Sequence, residues 1–132
     1  QLLDARIVLR FDRDGAPLPI LFDRSQFELM LLNLASNARD AINGTGVFDI
    51  QARRAPDHVA ITLHDDGGGM PPEVAARVFE PFFSTKPADS GTGLGLAVVH
   101  ELVTTAGGTI AVTSAPGVGT TFRIALPLSP AA

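Results

Sequence analysis

Two hairpin patterns constrain this chain most. Val47–Arg54 and His58–Asp65 each alternate apolar with polar residues, and Pro56-Asp57 stands between them as a turn. Thr109–Ser114 and Thr120–Leu126 repeat the pattern around Pro116-Gly117. Successive strand side chains point to opposite faces, so each hairpin carries one apolar face that needs a cover. Helical segments between the hairpins supply it. Asp23 and Ser25 both suit the N-cap of a long helix running to about Asn43, with Gly44 as its stop. Phe27, Leu31, Leu34, Ala38 and Ile42 recur there at helical steps and predict its buried stripe. Pro72 to about Phe79 reads as a short helix. Gly93–Ala106 reads as a second long helix, closed by Gly107-Gly108. Ala5–Asp12 reads as a first strand, Asp14-Gly15 as the turn after it, and Pro19–Phe22 as a short strand. The order predicts an α+β fold: a two-layer α/β sandwich whose mixed, largely antiparallel sheet is covered on one face by about three helices.

The chain has 132 residues, enough for one domain with a sizeable core. A formal net charge of −4 argues against nucleic acid as a partner, because phosphate neutralisation needs a basic face. There is no cysteine, which removes disulfides, thiolate metal sites and Cys nucleophiles together. No apolar run approaches the ~20 residues of a membrane span. The first residue is Gln1, and the chain is expected to be a fragment of a longer protein: a domain over residues 1–128 and a tail or linker over 129–132.

Three features sit badly with pure packing. Val59, Ile61, Leu63 and Asp65 share one strand face, so an acid closes an apolar row. A carboxylate pointed inward has to be satisfied by protein donors, water or a ligand. Asp66-Gly67-Gly68-Gly69-Met70 follows, either a surface turn or a backbone shaped to approach a ligand closely. Second, Asn33, Asn37 and Asp40 lie on one stripe of an otherwise apolar helix. A solvated face is the ordinary explanation, and amide ligation of a hard cation beside phosphates is the functional one. Third, Ser90–Leu96 (SGTGLGL) opens the second long helix. Free amides and the dipole at a helix start favour phosphate, and a flexible loop leading into the helix explains the glycines equally well. It is neither a Rossmann nor a Walker fingerprint.

Together these segments resemble the histidine-kinase branch of the gyrase, chaperone, histidine-kinase and mismatch-repair ATPase superfamily. NLASNARDA is similar to the Asn box, DDGGGM to the first glycine box, RVFEPFFSTK to the phenylalanine box, and GTGLGLAVVHELVTTAGG with GVGTTFRIALPL to the second glycine box and closing strands. The resemblance implies a Bergerat-type ATP-binding fold, with ATP and Mg²⁺ bound. It implies Asn37 as Mg²⁺ ligand with Asn33 beside it, and Asp65 as acceptor of the adenine amino group. It further implies Gly67 and Gly69 shaping the adenine pocket, Lys86 as a phosphate contact, Gly91, Thr92, Gly93, Leu94 and Gly95 in a phosphate-facing lid, and Thr120 among the nucleotide contacts. Phe79, Phe82 and Phe83 would anchor the lid or meet a partner domain, although local packing explains such a cluster more simply. The implied reaction donates the γ-phosphoryl of ATP to a histidine on a separate dimerisation domain of the same parent. A response-regulator receiver would be the downstream partner. The domain itself is expected to be a cytoplasmic monomer with no direct membrane contact, within a parent that could itself be membrane-anchored.

The sequence departs from the family pattern at Asp66, where Asn or Thr is commoner; it adds charge near an anionic ligand or faces solvent. His100-Glu101-Leu102-Val103-Thr104 imitates the phosphoacceptor motif but falls inside the second long helix, so His100 is read as an ordinary helix residue. His58 and His64 take the outward strand phase and are read as surface or packing residues. Hydrolytic ATPases and serine kinases of the superfamily carry Glu where this chain has Asn33. That argues against both, and intact boxes argue against a degenerate nucleotide-sensing scaffold.

Overall fold

Both hairpin turns form where the sequence puts them. In a computed structural model, which describes residues 7–13, 22–42, 46–81, 83 and 95–128, β2 (Gly46–Arg54) and β3 (His58–Asp65) are joined tightly, with Ala55 N–H donating to the His58 carbonyl at 2.8 Å. β4 (Thr109–Ala115) and β5 (Gly119–Pro127) form the second hairpin. β1 (Ile7–Arg13) lies parallel to β2, and the other pairings are antiparallel, in the order β1-β2-β3-β5-β4. The mixed, largely antiparallel sheet is therefore present, with β3 at its centre and paired to β5 along its whole length. The Pro19–Phe22 strand lies outside the described residues except for Phe22, which is not in a strand.

Helix α1 (Arg24–Ala41) starts at Asp23, not Ser25: the Asp23 carboxylate accepts from Gln26 N–H at 3.0 Å, satisfying one of the free amides of the first turn. It ends two residues earlier than expected, with Ile42 N–H donating to Ala38. Its fully buried stripe is Met30, Leu34, Ala38 and Ile42, a straight run of four-residue steps. Phe27 and Leu31 flank this run half-buried, a correction to the predicted stripe, which omitted Met30. The second helix, α2 (Pro72–Ala75), is a single turn and does not continue to Phe79. Isolated three-residue turns follow, closed by Arg77 N–H on Val74 and Glu80 N–H on Arg77.

Helix α3 (Gly95–Thr105) buries Val99 and Val103 against the sheet side and packs beside α1. Its end shows why two glycines close it. Gly108 N–H reaches the Val103 carbonyl at 2.9 Å and Gly107 N–H the Thr104 carbonyl at 3.0 Å, a paired closure that needs Gly107 at a φ of 84°. Among the described residues no helix is long and apolar enough to cross a membrane.

The helices and the sheet share one core, in which Leu34, Leu63, Val99, Ile124 and Leu126 are almost wholly enclosed. Leu34→Ala is expected to cost about 2–5 kcal/mol, since the removed atoms leave a cavity between two layers that cannot fully close. Urea titration should show a lower midpoint at an unchanged slope.

Candidate functional site

The inward row of β3 runs Val59, Ile61, Leu63 and then Asp65, which is 3% exposed. Directly across on β5 stands Thr120, also 3% exposed, at the end of a row begun by Leu126, Ile124 and Phe122. Each strand thus finishes an apolar row with one buried polar side chain. Asp65 Oδ1 accepts from Gly67 N–H at 2.9 Å. Among the described residues no donor meets its second oxygen. Burial pushes the Asp65 carboxyl above the ordinary carboxylate range; the Gly67 N–H and nearby His64 pull the other way, and Asp66 adds a smaller upward push.

The glycine segment after β3 is wedged between two elements. Gly68 N–H donates to the Ala41 carbonyl at the end of α1 at 3.0 Å, and a side chain on Gly67 would strike that same carbonyl. On the other side Gly117 N–H donates to the Gly68 carbonyl at 2.8 Å, and Met70 N–H to Ser114 Oγ at 2.8 Å. Gly69, at a φ of 72°, lies so near the Ala115 carbonyl that no β-carbon fits. The glycines thus bring this loop's backbone against protein backbone on both sides.

Asn33, Asn37 and Ala41 succeed one another by single turns along α1, a span of about 12 Å. One end of this stripe meets α3: a β-carbon placed on Gly95 would lie 3.6 Å from Asn33 Oδ1. The other end meets the glycine loop through Ala41. Asn37 therefore lies midway between the start of α3 and the loop beside Asp65. Asn33 and Asn37 are half-buried, and among the described residues neither carboxamide has a hydrogen-bond partner. Asp40 leaves the stripe: it is exposed and lies 3.8 Å from Arg39.

The structure thus sets Thr120 opposite Asp65 beside the loop of Gly67 and Gly69, and places Asn33 and Asn37 on α1 between that loop and Gly95. Lys86, Gly91, Thr92, Gly93, Leu94 and Phe82 lie outside the described residues. Asp66 is exposed, the solvent-facing one of its two readings. Its Oδ1 accepts from Val47 N–H at 2.8 Å while its own N–H reaches the Val47 carbonyl at 3.3 Å, so its charge is turned onto the start of β2. Phe79 stacks near His100 at 5.3 Å and meets Phe122 edge-on at 6.1 Å, and Phe83 lies under the Arg77 guanidinium at 4.5 Å. All three contacts are packing within the domain. His100 is exposed on α3, His64 bonds Thr121 Oγ1 at 2.7 Å on the outward face, and His58 bonds Asp57 at 2.7 Å. Ser114 was missed from sequence. Its phase, shared with Ile110 and Val112, was the available signal: a hydroxyl in an apolar row.

A family model described as "Histidine kinase-, DNA gyrase B-, and HSP90-like ATPase" matches residues 22–130. The chain is 37% identical over 142 residues to the sensor kinase CckA of Brucella abortus (strain 2308), covering 96% of this chain and 15% of that protein. The mycobacterial sensor histidine kinase MprB superposes with a TM-score of 0.83 at 30% identity, covering 96% of this chain and 85% of that one. Full-length ShkA, solved in complex with AMPPNP, gives a TM-score of 0.80 at 33% identity over 93% of this chain and 26% of that one. The chain spans 12% to 38% of the length of the first curated relatives it matches.

Two substitutions separate the adjacent acids. Because the folded state raises the Asp65 pKa, it binds more protons than the unfolded chain, so this group's contribution to stability falls as pH rises from 3.8 through the raised value. Asp65→Asn keeps the acceptor for Gly67 and removes the buried charge. The difference in unfolding free energy between Asp65→Asn and the parent should therefore be smallest at acid pH. It should grow in favour of the variant toward neutrality. Denaturant titrations of both proteins across pH 3–8 measure it. Asp66→Ala, by contrast, should cost about 1 kcal/mol through the orphaned Val47 amide, and Asp66→Asn should cost almost nothing.

Proposed function

Since the chain belongs to the family of histidine kinase-, DNA gyrase B- and HSP90-like ATPases, we propose that it binds ATP with Mg²⁺ and donates the γ-phosphoryl group to a histidine on a separate phosphoacceptor domain of the same parent protein. The observation that carries this reading is the buried Asp65 carboxylate with one oxygen unmatched by any described donor. An exocyclic amino group of a purine supplies the missing donor. Gly67 and Gly69 are assigned to the walls of the base site, in a loop that Gly68 ties to α1 and to the β4–β5 hairpin.

Asn37 and Asn33 fit a cation shared with phosphates: they present neutral amide oxygens, half-buried and without other partners among the described residues. Magnesium held there would neutralise charge on the phosphates. Gly95 opens α3, so the amides of its first turn, with Gly91, Thr92, Gly93 and Leu94 before it and Lys86, are assigned to the phosphate end. Thr120 joins Asp65 at the base end. In the transfer an acceptor imidazole nitrogen bonds the γ-phosphorus, the bond from that phosphorus to the bridging oxygen breaks, and ADP departs. This chain positions the donor and stabilises charge. An Asn at position 33 cannot take a proton from water, which favours transfer over hydrolysis and over the ATPase and serine-kinase alternatives.

ShkA, a structural relative, was solved in complex with AMPPNP, which supports a nucleotide as the ligand here. The parent would act in two-component signalling, with a response-regulator receiver as the next acceptor and the domain on the ATP-containing, cytoplasmic side. Residues 1–128 are assigned to the domain and 129–132 to a tail.

ATP with Mg²⁺ is expected to raise the thermal midpoint, by about 2.7 kcal/mol of stabilisation at a hundredfold excess over Kd. The shift should vanish in Asp65→Asn and lose its Mg²⁺ dependence in Asn37→Ala. Supplied with a histidine-bearing helical hairpin from a related kinase, the chain should transfer ³²P to it while turning over ATP slowly on its own. Rapid hydrolysis without transfer would count against the kinase assignment.

A further inference from the structure

Ser114 Oγ makes three hydrogen bonds with only one proton to give. Met70 N–H donates to it at 2.8 Å. Its own proton goes to the Gly119 carbonyl at 3.0 Å, since a carbonyl only accepts. The remaining contact, 2.8 Å to Thr120 Oγ1, must then run from Thr120 to Ser114. The reverse direction would strand the Thr120 proton in a site 3% exposed, where among the described residues Oγ1 has no other partner. Thr120 faces Asp65 across β3 and β5, and its proton is drawn away from that carboxylate. Two directly opposed residues therefore each present an acceptor: Thr120 through the lone pairs of Oγ1 and Asp65 through its second oxygen. Neither can donate.

We propose that Ser114 is a positioning residue that sets base selectivity: by holding the Thr120 hydroxyl as an acceptor beside Asp65, it makes the site take a base carrying an amino group and refuse one carrying a carbonyl oxygen in the same place. This rests on the nucleotide assignment above and deepens it. An amino group offers two N–H donors to two acceptors. A carbonyl oxygen brings a third acceptor into a buried site, an arrangement with no donor to relieve it. Without the Ser114 hydroxyl, Thr120 is free to rotate. Its proton can then turn to Asp65, competing with an amino group, or to a ligand carbonyl, accepting the wrong base.

Calorimetric titration of the 132-residue chain with Mg²⁺-ATP and Mg²⁺-ITP tests this. The parent chain should prefer ATP by about 100-fold or more. In Ser114→Ala, ATP should weaken and ITP should strengthen, lowering the ratio by about tenfold. Ser114→Thr, which keeps a hydroxyl, should restore the ratio. In a Thr120→Val background, Ser114→Ala should change the ratio no further. A purely structural clamp predicts equal weakening of both nucleotides, and that result overturns the assignment of Ser114 while leaving nucleotide binding intact. If the parent chain binds neither nucleotide, the nucleotide assignment itself fails and takes this one with it. Should Ser114→Ala not fold, Thr120→Val alone must lower the ratio; an unchanged ratio overturns the proposal equally.

Discussion

The structure turns on a charge placed where the fold least favours it. Asp65 ends an apolar row at the centre of the sheet, enclosed by β5 and by the glycine loop, and among the described residues it has one protein hydrogen bond where an ionised carboxylate could accept several. An apolar residue there would suit the core better. Retaining the acid makes sense when something else completes it, and the surrounding groups are arranged around that incompleteness. The glycines hold the backbone close, Thr120 stands opposite, and α1 carries two amides that have no hydrogen-bond partner among the described residues.

The proposed function couples stability and binding through one side chain: enclosing Asp65 costs the domain free energy, and a ligand donor would recover part of it. The neighbouring Asp66 shows how little proximity in sequence says about this. Turned onto the Val47 amide, it behaves as a fastening between the end of β3 and the start of β2, and its negative charge is spent on backbone.

Much of this was legible in the sequence where a strong period carried it. Alternation in β3 gave both its bounds and the inward phase of Asp65, and the Gly107-Gly108 pair marked the end of α3. The losses have physical causes. Met30 was omitted from the core because, on a helix this apolar, several stripes satisfy the period and only the packed partner selects one; Leu29 and Leu32 on the same helix remain exposed. The short helix was over-extended because three-residue turns continue its local geometry past Ala75. Ser114 was invisible because its importance lies in a proton inventory among Met70, Gly119 and Thr120. No spacing rule encodes that closure between residues 44 positions apart.

The glycine loop touches its surroundings through main chain. Gly68 bonds both the end of α1 and Gly117, and Gly69 abuts Ala115 with no side chain between them. Contacts of backbone on backbone cannot be retuned by exchanging rotamers or trimming methyl groups. Segments 65–70 and 114–120 consequently form one inheritable unit. A chimera that takes either segment from a relative should take both, because the two share a surface that only their joint geometry defines.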